Sequence, residues 1–312
     1  MAVRTTGEFQ GGPVLSSAVS GTRREITKRA GRLSYYVAGK GPPLLLIHSI
    51  NAAASAYEVR PIYEALRANR RVYAVDLPGF GFSDRPDRRY DVPLYTDAIR
   101  DMLDVVGEDA SGEPIDALAI SLSSEFLARI VSEMPDRFRT LTLVTPTGFS
   151  KGSTSFNTSR RATREVPGLH AIIGFKLWGR GLFNLLVSQR GIRFFLEKTF
   201  GSKNIDEGLV KYDYVTSHQP GAEHAPFAFV SGRLFSKDIR SVYERLTLPV
   251  WMPHATRGDF ADFSGDDWVL QRPNWTVEPW PTGALPHFET PREFIAALET
   301  YLRREGFQSR AS

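Results

Sequence analysis

Residues 115–125, IDALAISLSSE, hold the clearest reactive pattern in the chain. An apolar run from Ala117 to Ile120 meets Ser121, with the small residues Ala119 and Ser123 two places to either side. An amphipathic run over 126–131 follows at once. Strand, sharp turn with a serine at its tip, then helix is the layout of a nucleophile elbow. Such a turn pushes the hydroxyl out above a sheet. The helix behind it aims N–H groups and a positive dipole end at incoming negative charge. The chemistry this suits is attack of Ser121 on a carbonyl. A competing assignment makes Ser121 the cap of the following helix, a common place for serine. A free serine hydroxyl is a poor nucleophile at neutral pH, so the first assignment needs a base.

The surrounding elements are those that would position such a turn. Residues 24–29 and 33–38 predict two short strands around Gly31. The continuous apolar run 43–48, PLLLIH, predicts a strand buried on both faces. Helices are expected over 54–68 and 93–106, with a strand over 71–77 between them. Another strand is expected over 141–144. Strands alternating with helices imply a parallel sheet covered on both faces. From 150 to 240 the strand signal disappears and apolar helical runs take its place, carrying Phe175, Leu177, Trp178, Leu182, Phe183, Leu185 and Leu186. Strands return over 246–252 and 275–280, and a last helix over 291–304. The expected organisation is a flexible lead-in over 1–22, a core built from 23–149 and 241–312, and a helical cap over 150–240.

Composition bounds the function. The 312 residues carry 39 basic and 35 acidic side chains, a net +4. The arginine pairs, such as Arg23-Arg24 and Arg160-Arg161, are scattered, so nucleic acid is not an expected partner. There is no cysteine, which excludes thiolate nucleophiles, disulfides and cysteine metal sites. His218 and His224 lie close in sequence, but two histidines without a carboxylate at helical spacing do not make a metal site. No cofactor and no metal are expected. No apolar run approaches the roughly 20 residues of a membrane span, and residues 1–20 lack the apolar stretch of a secretory signal. A cytoplasmic location is expected, with the oligomeric state open.

Four segments in order resemble the α/β-hydrolase family: Leu46-Ile47-His48-Ser49-Ile50, the turn DLPGFGFS over 76–83, the Ser121 elbow, and LPHFETP over 285–291. The resemblance covers roughly 24–148 and 246–304, with the helical part where that family carries a cap. It implies an α/β fold, a mostly parallel sheet with helices on both faces, and a catalytic triad. Ser121 would be the nucleophile. The family's base lies between the last strand and last helix, which gives His287. That residue departs from the family's spacing, as if a Gly-His pair had been removed before it. The acid would follow the strand near 249–253 and hold the imidazole's tautomer. Asp259 is the candidate, with Asp262 as the alternative. His254, just past that strand, is expected to be structural. The oxyanion hole would use the backbone N–H groups of Leu122 and Ile50.

The implied activity is cofactor-independent hydrolysis of a carboxylic ester, or a related acyl bond, in a small, largely apolar substrate through an acyl-enzyme. An acyltransferase or cofactor-free perhydrolase would use similar groups. The rival of a different class is a non-catalytic homologue that binds a small ligand or a partner protein. The shifted histidine and the absent elbow glycines favour that rival.

Overall fold

The computed structural model describes residues 13–150, 163–166, 168–173 and 179–308. Phe175, Leu177 and Trp178 of the expected cap lie outside them. Eight strands form one sheet: β1 (Thr22–Lys28), β2 (Gly31–Ala38), β3 (Pro43–Ile47), β4 (Arg71–Asp76), β5 (Ile115–Ile120), β6 (Phe138–Val144), β7 (Val250–Ala255) and β8 (Trp275–Trp280). Their spatial order is β1-β2-β4-β3-β5-β6-β7-β8. The β1-β2 and β2-β4 pairs are antiparallel, and from β4 onward every pair is parallel. All parallel strands therefore end at one edge, where ligands bind in open α/β sheets.

The central strands β3 and β5 carry apolar residues on both faces, and each face is covered. Leu45, Ile47, Ala117 and Ala119 pack toward α2 (Val92–Asp109) and α3 (Ser123–Glu133). Leu44, Leu46, Leu118 and Ile120 pack on the other side, with residues of α1 (Arg60–Leu66) and of the chain's last helix. This period-2 division between two helical layers is what a strand buried on both sides requires.

Between β6 and β7 the described residues are helical: α4 (Leu169–Ile173), α5 (Gly179–Leu186), α6 (Gln189–Phe200), α7 (Glu207–Ser217), α8 (His224–Val230) and α9 (Ile239–Glu244). An isolated bridge, Thr163 to Ser236, joins the two ends of this insertion. After β8 come a short helix α10 (Pro286–Glu289) and α11 (Pro291–Gln308).

In the expected lead-in Val14 is exposed, whereas Ala18 and Val19 are buried, Tyr212 donates to Ser16 O at 2.7 Å, and Ser20 Oγ bonds Glu64 at 2.7 Å. Two expectations need correction. The helix expected over 54–68 is a 3-10 turn, Ala56–Val59, followed by α1, because Pro61 suits a fresh helix start. The strand expected over 246–252 begins at Val250, after Pro249. Pro249 has no N–H for a ladder, and its carbonyl instead accepts from Leu141 N at 3.0 Å.

Candidate functional site

Ser121 stands between β5 and α3 with φ +52°, in the left-handed region that non-glycine residues rarely adopt. Ser121 N donates to Val144 O at 2.9 Å, so the turn is pinned to the neighbouring strand. The helix-cap assignment fails. The N-cap position of α3 is Leu122, and no side chain caps the helix. The Ser121 side chain is half-buried, at the edge where the parallel strands end.

The residues that replace the elbow glycines are fully buried. Ala119 is small enough for the turn. Ser123 adds a bond: its Oγ donates to His48 O at 2.6 Å. The elbow helix is thereby tied to the loop after β3. The β3-β5 register pairs Ile47 with Ala119, which carries Ser49 to the level of Ser121. The N–H groups of Leu122 and Ile50 have no hydrogen-bond acceptor among the described residues.

That loop is held from beneath. Leu77 N donates to His48 Nε2 at 3.0 Å, which leaves Nδ1 carrying the proton, 2.6 Å from Ser49 O. Burial pushes the imidazole down to about 4, so it is neutral at pH 7. From the side, the buried Glu58 carboxylate accepts from Ser49 N at 2.7 Å, Ser49 Oγ at 3.0 Å and Asn51 Nδ2 at 2.7 Å. Burial raises its pKa, while these donors oppose the rise. Asp213 on α7 stands near enough to feel the Glu58 charge. It is buried, its Oδ1 has no partner, and burial holds its pKa well above the usual carboxylate range. Neither acid was singled out from the sequence.

The DLPGFGFS turn supports the same edge. Asp76 accepts from Ala56 N at 2.9 Å and Phe82 N at 3.0 Å, and burial pushes its pKa up to about 6. A side chain at Gly81, where φ is +51°, would strike the Asp76 carboxylate within 2.3 Å. Glycine is therefore required there on two counts.

The structure does not join the other expected members of the triad to Ser121. His287 lies in α10, fully buried against Phe288 and Phe294. Its Nε2 faces Glu58 O at 2.6 Å and must carry the proton, because a carbonyl only accepts. Its Nδ1 is buried and unpartnered. Burial pushes the imidazole down to about 4. The segment before it is pressed against the helix α6. Gly283, whose Cβ would fall 2.3 Å from Thr199 O, turns hard against α6, and His287 falls inside the core. Asp259 is on the surface, its carboxylate 3.6 Å from Lys198 Nζ, and it has no bond to His287. Asp262 accepts from Ser264 N at 3.1 Å and Ser264 Oγ at 2.6 Å in a local turn. His254 Nδ1 meets Ala255 O at 3.1 Å, and its ring packs on Phe263. His218 meets Tyr214 O at 2.7 Å. No cluster of metal-binding side chains occurs among the described residues.

A sequence profile for the alpha/beta hydrolase fold matches residues 42–167. The 2-hydroxymuconate semialdehyde hydrolase of Pseudomonas sp. (strain CF600) is 30% identical over 129 residues, covering 41% of this chain and 44% of that protein. The match thus spans less than half of that relative's length. The pimeloyl-[acyl-carrier protein] methyl ester esterase of Aeromonas salmonicida is 25% identical over 217 residues, covering 69% and 76%. Among solved structures, a serine hydrolase involved in carbazole degradation superposes with TM-score 0.70 at 17% identity, covering 91% and 99%. A meta-cleavage product hydrolase from Pseudomonas fluorescens gives 0.68 at 19%, covering 90% and 97%. The sheet order, the elbow and the profile match over 42–167 give the chain the α/β-hydrolase fold. No helix among the described residues is long and apolar enough to cross a membrane.

Proposed function

We propose that the chain is a hydrolase that uses Ser121 to cleave a carboxylic ester, or a related acyl bond, of a small apolar substrate. The observation that carries this reading is the φ of +52° at Ser121. Backbone strain of this kind costs about 1–3 kcal/mol and persists where the surroundings over-determine it, often at a reacting group. Attack of Ser121 Oγ on the carbonyl carbon would place the oxyanion at Leu122 N and Ile50 N, both free of protein acceptors among the described residues. Expulsion of the alcohol leaves an acyl-enzyme, and water releases the acid. Hydrolase-named relatives support the reaction class.

In this reading His287 accepts the serine proton at Nδ1, the ring nitrogen that carries no proton. Glu58 O takes the orienting place expected of Asp259. Nδ1 has to come within hydrogen-bond reach of Oγ, which it does not do in this structure. Asp259 and Asp262, engaged on the surface, have no role in it.

A second reading is a non-catalytic homologue that binds a small ligand. Its supporting observation is the separation of His287 and Asp259 from Ser121. A p-nitrophenyl ester series separates the two. The hydrolase reading expects turnover with a pre-steady-state burst that Ser121→Ala abolishes. A folded wild type that releases nitrophenol no faster than Ser121→Ala supports the second reading.

A further inference from the structure

We propose that the hairpin of α5 and α6 is a docking face for an anionic lipid bilayer, a role separate from the chemistry at Ser121. The hairpin splits its apolar residues between two sides. Phe183, Val187, Ile192, Leu196 and Phe200 are buried and attach it to the body of the protein. Leu182, Leu185, Phe194 and Phe195 point the other way, 42%, 69%, 54% and 47% exposed. Phe194 and Phe195 meet edge to face at 5.4 Å, and Phe260, 54% exposed, follows Asp259, which is ion-paired to Lys198. The tight turn between the helices holds them together. A side chain at Gly191 would come within 2.3 Å of Leu186 O.

Charge decides among the occupants. Residues 179–203 contain five basic side chains, Arg180, Arg190, Arg193, Lys198 and Lys203, against one acid, Glu197. That net +4 equals the net charge of the whole 312-residue chain. Arg193 pairs with Glu207 at 2.8 Å and Lys198 with Asp259 at 3.6 Å, while Arg190 and Lys203 have no acidic partner among the described residues. Large exposed apolar side chains beside basic ones are the composition of helices that lie in a membrane interface. Basic stems bury their methylenes while their heads reach phosphate. A symmetric pairing of two copies would set one such basic hairpin against another, which like-charge repulsion opposes. Helices of eight and twelve residues cannot span a bilayer, so the attachment is peripheral.

Sedimentation of the full chain with vesicles tests this. Mixed phosphatidylcholine–phosphatidylglycerol vesicles should retain the protein at low salt, and pure phosphatidylcholine vesicles should retain far less. Arg190→Gln and Lys203→Gln should each lower the partition coefficient roughly fivefold, and added salt should act in the same direction. Leu185→Ser with Phe195→Ser should lower it at least tenfold. Leu270→Ser, at an exposed site outside the hairpin, and Ser121→Ala should leave it unchanged. Absence of binding to the mixed vesicles overturns the proposal, as does equal binding by the hairpin variants. A concentration-dependent dimer that Leu185→Ser dissolves, with no vesicle binding, assigns the face to a second copy and also overturns it.

Discussion

The carbonyl oxygen of Glu58 lies 2.6 Å from His287 Nε2, while the carboxylate of the same residue holds Ser49 and Asn51. One residue in the 3-10 turn before α1 therefore fixes both the histidine and the loop that would supply an oxyanion N–H. Any motion of that turn is felt at both.

Glu58→Ala should be severe. It leaves Ser49 N, Ser49 Oγ and Asn51 Nδ2 without their shared acceptor in a buried place. Stranding buried donors costs about 1–3 kcal/mol each at most, and the loss here should be at least ~2 kcal/mol in urea unfolding. Glu58→Gln, which keeps one acceptor oxygen, should lose less.

The elbow predicts a trade between stability and activity. Glycine adopts positive φ without the Cβ penalty, so Ser121→Gly should raise unfolding stability by about 1 kcal/mol while removing all ester turnover. Ser121→Ala should remove turnover without that gain, because the strain stays. Thermal or urea unfolding of the two variants side by side measures the difference.

Ser123→Ala removes the bond to His48 O and should cost about 1 kcal/mol. Its effect on turnover should appear in kcat more than in KM, since it loosens the alignment of the oxyanion loop rather than substrate binding.

Acid should weaken the fold through His287. Burial holds its folded pKa at about 4, below the ordinary 6.5. Between those values the unfolded chain binds more protons, so this contribution is fully present above pH 6.5 and is lost as pH falls toward 4. From pH 7 to pH 5 the wild type should lose about 2 kcal/mol more than His287→Asn, measured by urea unfolding. Glu125 acts with the opposite sign, because burial pushes its carboxyl up to about 7 and protonation favours the folded state. The variant comparison isolates the histidine from it.

The sheet and the elbow were legible because their signals are local. A doubly apolar strand such as β3 announces its burial, and small residues at 119 and 123 announce a tight turn. The burial of His287 was not legible, because its position depends on how the loop over 281–285 meets α6, a contact distant in sequence. Asp259 follows the expected strand, but its carboxylate is exposed and paired with Lys198, a contact that the sequence order does not reveal. Glu58 was hidden for another reason. Ser55-Ala56-Tyr57-Glu58 reads as an ordinary helix-capping pattern. Ser55 does cap, accepting from Tyr57 N at 3.3 Å, while the glutamate turns away to Ser49 and Asn51.

The role of Ser121 as nucleophile is tested most directly by labelling with a fluorophosphonate probe, followed by mass spectrometry of the peptide that contains Ser121. One adduct is expected, on Ser121, absent from Ser121→Ala and slowed by orders of magnitude in His287→Ala. A folded wild-type protein that takes up no probe, or takes it up at another residue, rules out Ser121 as the nucleophile.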